Sequence, residues 1–358
     1  MPNIFQSKTD VSIFKDERFL YQDFVPERLP FRDNELSELV FCLKPATTGK
    51  KPTNIFVYGK PGTGKTVSLK FVLNEMEEFS DRVKCLYLNC FEFSSKQALL
   101  TKITNYFGYA VADRGLSSEE VYSKFVALLR AEKFIPIIVF DEAEQLLKDE
   151  SRKELLYDLS RLGEQQKLSI GLVFISNDTF FLSRLDDRIK SSLGASSIPF
   201  EPYSSTELKE ILKERAKYAF FDFVLDEEVI PLCAAHASKL GGDARVAIDL
   251  LLKAGRLAER ENSKKVLSKH VRASFTQEKV VKQEITLNLT EQEKEVLKFL
   301  DTHSNQEIDS GLIYSSLEKK FSERTLRYAL AELKKKNLIV SEKVIRGKGF
   351  TTIIQKKP

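Results

Sequence analysis

The sequence predicts an α/β protein: a parallel sheet covered by helices, followed by an all-α segment and a small unit of three helices and a hairpin. Three observations predict it. Short apolar runs, NIFVY, VKCLYLNC, FIPIIVFDE and LSIGLVFISND, alternate with helical periods up to about residue 200, as strands buried on both faces do. Strand signals then vanish from about Tyr203 to Phe275. The last stretch shows three helical periods and then an alternating pattern around RGKG. A chain of 358 residues exceeds one ordinary core, so three domains are expected, over 1–200, 201–280 and 281–358.

Residues 1–50 mix charge and apolar residues, with a helical pattern at Leu36, Leu39, Val40 and Leu43, and KPATTGKKPTN reads as a loop. Strands follow at 54–58, 83–90, 134–142 and 168–178, with helices over GKTVSLKFVLNEMEEF, SKQALLTKITNYFG, EEVYSKFVALLRAE and RKELLYDLSRLGEQ. SSTELKEILKERAKYAF, DEEVIPLCAAHASKL and DARVAIDLLLKAGRLAE carry the all-α segment, and TQEKVVKQEI reads as a linker. Thr290 and Glu293 form a capping box before the next helix. The order helix, helix, helix, hairpin is that of a winged helix.

Hydrophobic residues make up 42% and charged residues 30%, a globular composition. No apolar run reaches the length of a membrane span, and the N-terminus has no secretory pattern, so a cytoplasmic, nucleoid-associated protein is expected. The four cysteines and three histidines match no zinc spacing, and the cysteines are expected to be reduced and buried. The net charge of +4 is unevenly spread. Lys319 to Pro358 holds twelve Lys/Arg and three Glu, a balance of +9, leaving −5 on the rest. A basic end on a mildly acidic body points to a polyanion.

GKPGTGKT at 59–66 fits the phosphate-loop pattern in full, between a strand and a helix. Its backbone N–H groups and the helix N-terminus suit phosphates. The candidate nucleotide residues are Gly59, Pro61, Gly62, Thr63, Gly64, Lys65, Thr66, Val67 and Ser68, with Lys65 on the β and γ phosphates. Thr66 and Asp141, at the end of IIVFD, are candidate Mg²⁺ ligands, and Glu142 is the candidate for orienting the attacking water. Asn177 ends a strand and is a candidate for the γ-phosphate or the water. Arg188 in DDRIKSSL is a candidate for a neighbouring subunit's nucleotide. Arg245 lies in the first turn of a helix, where the dipole disfavours a cation, hinting at an anion nearby.

In SERTLRYALAELKKKNL, Leu326, Ala329, Leu330 and Leu333 form the apolar face. The opposite face offers Arg324, Arg327, Tyr328 and Lys335, with Thr325 beside them, to a DNA major groove. Arg346 and Lys348 at the hairpin tip are candidates for backbone or minor-groove contacts.

Taken together, these residues resemble an archaeal replication initiator of the origin-recognition-complex/cell-division-control type. The opening IFKDERFLYQDFVPERLPFRDNEL is similar to that family's N-terminal segment near the adenine. GKPGTGKT, IIVFDE, FISND, DDRIKSSL and GGDARVAIDLL match its phosphate loop, acidic strand, first sensor, finger region and second sensor in order. The resemblance implies an AAA+ ATPase with a helical lid and a C-terminal winged helix. Expected with it are ATP/ADP and Mg²⁺, double-stranded origin DNA, a paralogous initiator and the replicative helicase. It also implies that Tyr203 and Arg215 lie near the nucleotide, and that the insertion VADRGLSSEEVY meets DNA through Arg114. One departure is KSSL, which lacks the arginine of relatives that read KSRL or KSRF. Two other readings stay open on sequence: a clamp-loader-like or remodelling motor, and an ATP-dependent transcriptional regulator.

Overall fold

The computed structural model describes residues 12–112, 115–275, 289–302, 308–318, 320–335, 338–346 and 349–356. They fall into two compact units, Met1–Ser274 and Phe275–Pro358.

The first unit is built on five parallel strands: β1 (Ile55–Tyr58), β2 (Val83–Asn89), β3 (Ile135–Asp141), β4 (Gly171–Ser176) and β5 (Ser196–Pro199). Their order is β2-β3-β4-β1-β5. Side chains alternate across the sheet, as strand geometry requires. Ile55, Val57, Ile137, Val139, Val173 and Ile175 pack on one side against α1 (Asp33–Leu43) and α2 (Lys65–Phe79). Phe56, Leu88, Ile138, Phe140 and Phe174 pack on the other against α3 (Lys96–Tyr106), α4 (Ser118–Ala131) and α5 (Glu150–Ser160). Both faces are covered, which explains the near-continuous apolar strands; every residue of β3 is buried.

Some local expectations change. The loop expected after α1 contains a 3₁₀ turn, Lys44–Thr48, with Pro45 in its first turn and Gly49 closing it at φ 79°. The helix expected over RKELLYDLSRLGEQ breaks at Arg161 into α5 and α6 (Leu162–Gln166). The edge strand β5, reached through α7 (Asp187–Leu193), was not expected at all. It pairs on one side only, and Ile198 is its one buried residue, so it carries no apolar run.

Helices α8 (Ser205–Ala219), α9 (Val229–Lys239), α10 (Ala244–Arg260) and α11 (268–275) form the lid. A capping box of Ser204 and Glu207 starts α8. The N-terminal arm docks on these helices rather than on the sheet. Phe14 bridges to Phe220, with ring centroids 4.8 Å apart. The Ile13 amide donates to Glu259 at 2.9 Å, and Arg256 pairs with Glu17 at 3.1 Å.

The second unit contains α12 (Glu291–Thr302), α13 (Ser310–Leu317), α14 (Glu323–Lys335) and the hairpin β7 (Ile339–Arg346) and β8 (Gly349–Lys356). A two-residue strand, β6 (Ile308–Asp309), adds to the sheet in the order β6-β8-β7 and was not expected. The capping box is present: Glu293 accepts from the Thr290 amide at 2.7 Å, and Thr290 Oγ1 accepts from the Glu293 amide at 3.3 Å. Three helices and a hairpin pack on a core of Val296, Leu300, Ile313, Leu326, Leu333 and Ile354. The expected linker, residues 276–285, lies outside the described residues.

Candidate functional site

A cleft of about 350 Å³ opens at the carboxyl ends of β1, β3 and β4, where ligands of open α/β sheets bind. Its floor is Gly62, Gly64, Lys65, Thr66 and Val67 with Asp141, Glu142 and Asn177; its walls are Tyr21–Pro26 and Arg28–Pro30 from the arm and Tyr203, Arg215 and Arg245 from the lid side. The N-terminus of α2 points its first-turn amides here, with Gly64 at φ 89° as the entry residue.

Lys65 Nζ donates to the carbonyls of Gly59 and Lys60 at 2.8 and 2.7 Å and to Asn177 Oδ1 at 2.9 Å. Burial, and then the charge of Arg245, lower its pKa to about 8. Thr66 Oγ1 donates to Asp141 Oδ2 at 3.0 Å, and Tyr87 donates its hydroxyl to the same oxygen. Asn177 Nδ2 faces both carboxylate oxygens of Glu142, at 3.4 and 3.3 Å. Glu142 holds a left-handed backbone, φ 54°, directly after β3. Burial and the neighbouring Glu144 raise its pKa to about 7. Glu144 is itself tied to Ser176 at the end of β4. The arrangement brings a cation, two hydroxyls, an amide and carboxylates to one point, and an anion entering it meets N–H and ammonium donors.

Arg215 is held at the arm: its guanidinium donates to the carbonyls of Phe19 at 2.9 Å and Phe24 at 3.3 Å and lies 4.8 Å from the Phe24 ring. Burial lowers its pKa to about 10. Tyr203 is buried, its hydroxyl 2.7 Å from where a Cβ on Gly64 would stand. The cation in the first turn of α10 has a local explanation: the N-cap Asp243 accepts from the Arg245 amide at 2.8 Å, with its carboxylate 3.7 Å from Arg245 Nε.

Not every expected residue reaches the cleft. Gly59, Pro61 and Thr63 lie in the loop but do not line it. Ser68 is fully buried, and its amide is spent on the Gly64 carbonyl at 2.9 Å, as the helix requires. Arg188 is an exposed arginine off the cleft, bonded through Nε to its own N-cap residue Asp186 at 3.1 Å. Tyr87 and Arg32 were missed. Tyr87 sits two positions before Asn89, which pairs with Asp141, so strand alternation could have found it.

In the second unit, Arg324, Arg327, Tyr328 and Lys335 lie on the exposed face of α14, with Leu326, Ala329, Leu330 and Leu333 buried beneath. Arg327 pairs with Glu323 at 2.6 Å and Lys335 with Glu332 at 3.7 Å. Thr325 is half-buried; its amide donates to Ser322 Oγ at 3.3 Å and its hydroxyl bonds Ser322 at 2.8 Å, so it serves the helix start. Arg346 ends β7 opposite Gly349. Lys348 and Arg114 lie outside the described residues. Among the described residues no helix is long and apolar enough to cross a membrane. All four cysteines are buried and unpaired.

A phosphate loop, an acid-tipped β3, a polar residue after β4 and a helical lid over one cleft define an AAA+ ATPase. The sequence matches the AAA domain over residues 48–178 and the Cdc6 AAA+ ATPase-type lid domain over residues 209–276. The ORC1-type DNA replication protein of Thermococcus kodakarensis is 40% identical over 301 residues, 82% of this chain and 70% of the relative. The Aeropyrum pernix ORC1 protein, solved in complex with DNA, superposes with a TM-score of 0.72 at 34% identity, over 96% of this chain and 94% of that one. Cdc6p from Pyrobaculum aerophilum shares the fold, with a TM-score of 0.68 at 23% identity over 97% and 96% of the two chains. The chain belongs to the ORC1-type DNA replication proteins: it is a nucleotide-binding AAA+ ATPase and a replication initiator.

Proposed function

We infer that this initiator grips duplex origin DNA through its winged helix and its AAA+ region, and that bound nucleotide sets the grip. The observation that carries the reading is a cleft walled by the phosphate loop on one side and by the lid and arm on the other. A nucleotide there touches both bodies, so ATP and ADP, differing by one phosphate at Lys65 and Asn177, favour different lid angles. Lys65 meets the β and γ phosphates, and Glu142, set by Asn177, orients the attacking water. Arg215 and Arg245 meet the nucleotide from the lid, Tyr203 packs beside it, and the arm lies at the base. Thr66 and Asp141 present the hard oxygen donors that suit Mg²⁺, whose charge would offset that of the phosphates. Glu142 is part-buried, with Asn177 and the acidic Glu144 beside its carboxylate, and slow, regulatory hydrolysis is expected of it. Arg188, exposed and off its own cleft, is left for the nucleotide of a second subunit, a paralogous initiator being the expected one; the replicative helicase is the expected downstream partner.

Support for the DNA reading is the cationic face of α14 above its apolar one, at the end carrying +9. Each phosphate neutralised contributes about 0.9 to the slope of log affinity against log salt. Arg324→Ala with Arg327→Ala should therefore weaken binding to duplex origin DNA and reduce that slope by about 2. An unchanged affinity and slope in the double variant would sink the assignment of this face.

A further inference from the structure

Arg32 precedes α1 and is 4% exposed. Its planar guanidinium reaches three separate segments. Nε donates to the Thr63 carbonyl in the phosphate loop at 3.0 Å. One terminal nitrogen donates to the Phe31 carbonyl at 3.0 Å and to Glu35 at 3.1 Å. The other donates to the Glu201 carbonyl at 2.7 Å. The Tyr203 ring lies 3.9 Å from the guanidinium carbon and the Phe200 ring 5.5 Å.

These contacts fall at the joints of the first unit. The arm is docked on the lid through Ile13, Phe14 and Glu17. Two stretches of chain therefore join the sheet to the arm and lid. One runs from the arm to α1 and ends at Phe31, which adopts φ 61°, unusual for a bulky residue. The other runs from the end of β5 at Pro199 to the start of α8 at Ser205 and contains Glu201 and Tyr203. Arg32 bonds both stretches and the loop that grips the nucleotide.

We propose that Arg32 is a positioning residue that couples the phosphate loop to both joints of the lid, so that a ligand moving the Thr63 carbonyl turns the lid. A buried cation cannot release any of these acceptors without leaving a donor unpaired, which is costly away from water. The fork is rigid and planar, so it moves as one piece with the carbonyls it holds. A shift of the loop is thereby passed to residues 31 and 201 together. This rests on the reading that nucleotide state sets the lid angle.

The test uses the full chain with Arg32→Lys and Arg32→Gln. Lysine keeps the charge but places its donors on one nitrogen, so it cannot span the three carbonyls. The native cysteines are buried, so spin labels can be placed on exposed Lys102→Cys in α3 and Lys239→Cys in α9. Label distances are measured without nucleotide, with saturating ADP and with a non-hydrolysable ATP analogue, and nucleotide affinity by fluorescence titration. In the parent chain the distance should change with nucleotide. In both Arg32 variants affinity should fall within the range of about 5- to 150-fold typical of site coupling, and at saturation the distance should no longer respond. A lid that still follows saturating nucleotide in Arg32→Lys overturns the proposal. A parent lid indifferent to nucleotide refutes the switching reading itself, and the coupling with it. Should both variants fail to fold, the parent chain decides: the Arg32 Nε–H resonance must shift on adding ADP, and an unmoved resonance overturns the proposal.

Discussion

Replacing Gly62 by alanine tests how closely the lid sits on the phosphate loop. Gly62 has φ 72°, and a Cβ on it would stand 1.7 Å from Asp243 Oδ1 and 2.0 Å from its carboxyl carbon. Asp243 caps α10, and the next residue, Ala244, donates its amide to the Gly62 carbonyl at 3.1 Å. Alanine at that backbone conformation costs about 1 kcal/mol. It also forces Asp243 off its cap, worth about 1 kcal/mol more. Gly62→Ala should thus destabilise the first unit by about 2 kcal/mol, or about 4–8 °C in melting temperature for a unit of this size. Asp243→Ala alone loses the cap, about 1 kcal/mol. The double variant loses the cap once, so the pair should be less than additive by about 1 kcal/mol. Thermal unfolding of the four proteins without nucleotide measures the cycle. Additivity within about 0.3 kcal/mol would refute the claim that the two residues meet.

Asn177→Ala removes a side chain that bonds both Lys65 and Glu142, so ATP hydrolysis should fall about 100-fold while ADP still binds by titration. Lys65 carries a pKa near 8 in the free protein, so phosphate binding, which favours its charged form, should weaken as pH rises from 7.5 to 9, with protons taken up on binding above pH 8. Because that value is depressed from the unfolded 10.5, the unfolded chain binds the extra proton, and Lys65's contribution to stability should rise with pH between those values in urea titrations. Phe14→Ala empties the arm's contact with Phe220 and should cost about 3 kcal/mol in thermal unfolding, with nucleotide release speeding up as the arm loosens.

Much of the molecule was legible because single segments carry their own signal. β1 to β4 are buried on both faces and therefore read as apolar runs, and the phosphate loop is fixed by local spacing. β5 was not legible, since an edge strand with one buried side chain and two serines looks like a turn. The break at Arg161 comes two residues before Gly163, and a lone glycine inside a helical pattern is not a stop signal by itself; the chain takes φ −98°, ψ 2° there. Arg32 escaped because its partners lie 31 and 169 positions away, and no local pattern encodes a junction of three segments. Asp243, as an N-cap before a helical period, was readable in kind, though not its seat on Gly62.

The arm's docking has a consequence for how the protein is made. Ile13 finds its partner Glu259 across 246 positions of sequence. A ribosome adding about 5–20 residues each second needs about 12–50 s to cover that span. Through that interval Ile13 lacks Glu259, and for most of it Phe14 lacks Phe220; both side chains are buried in the finished fold. The nascent chain thus presents a sticky arm until α8 and α10 have been made. The first unit closes only when the last turns of α10 emerge, making the nucleotide cleft one of the last parts of that unit to be completed.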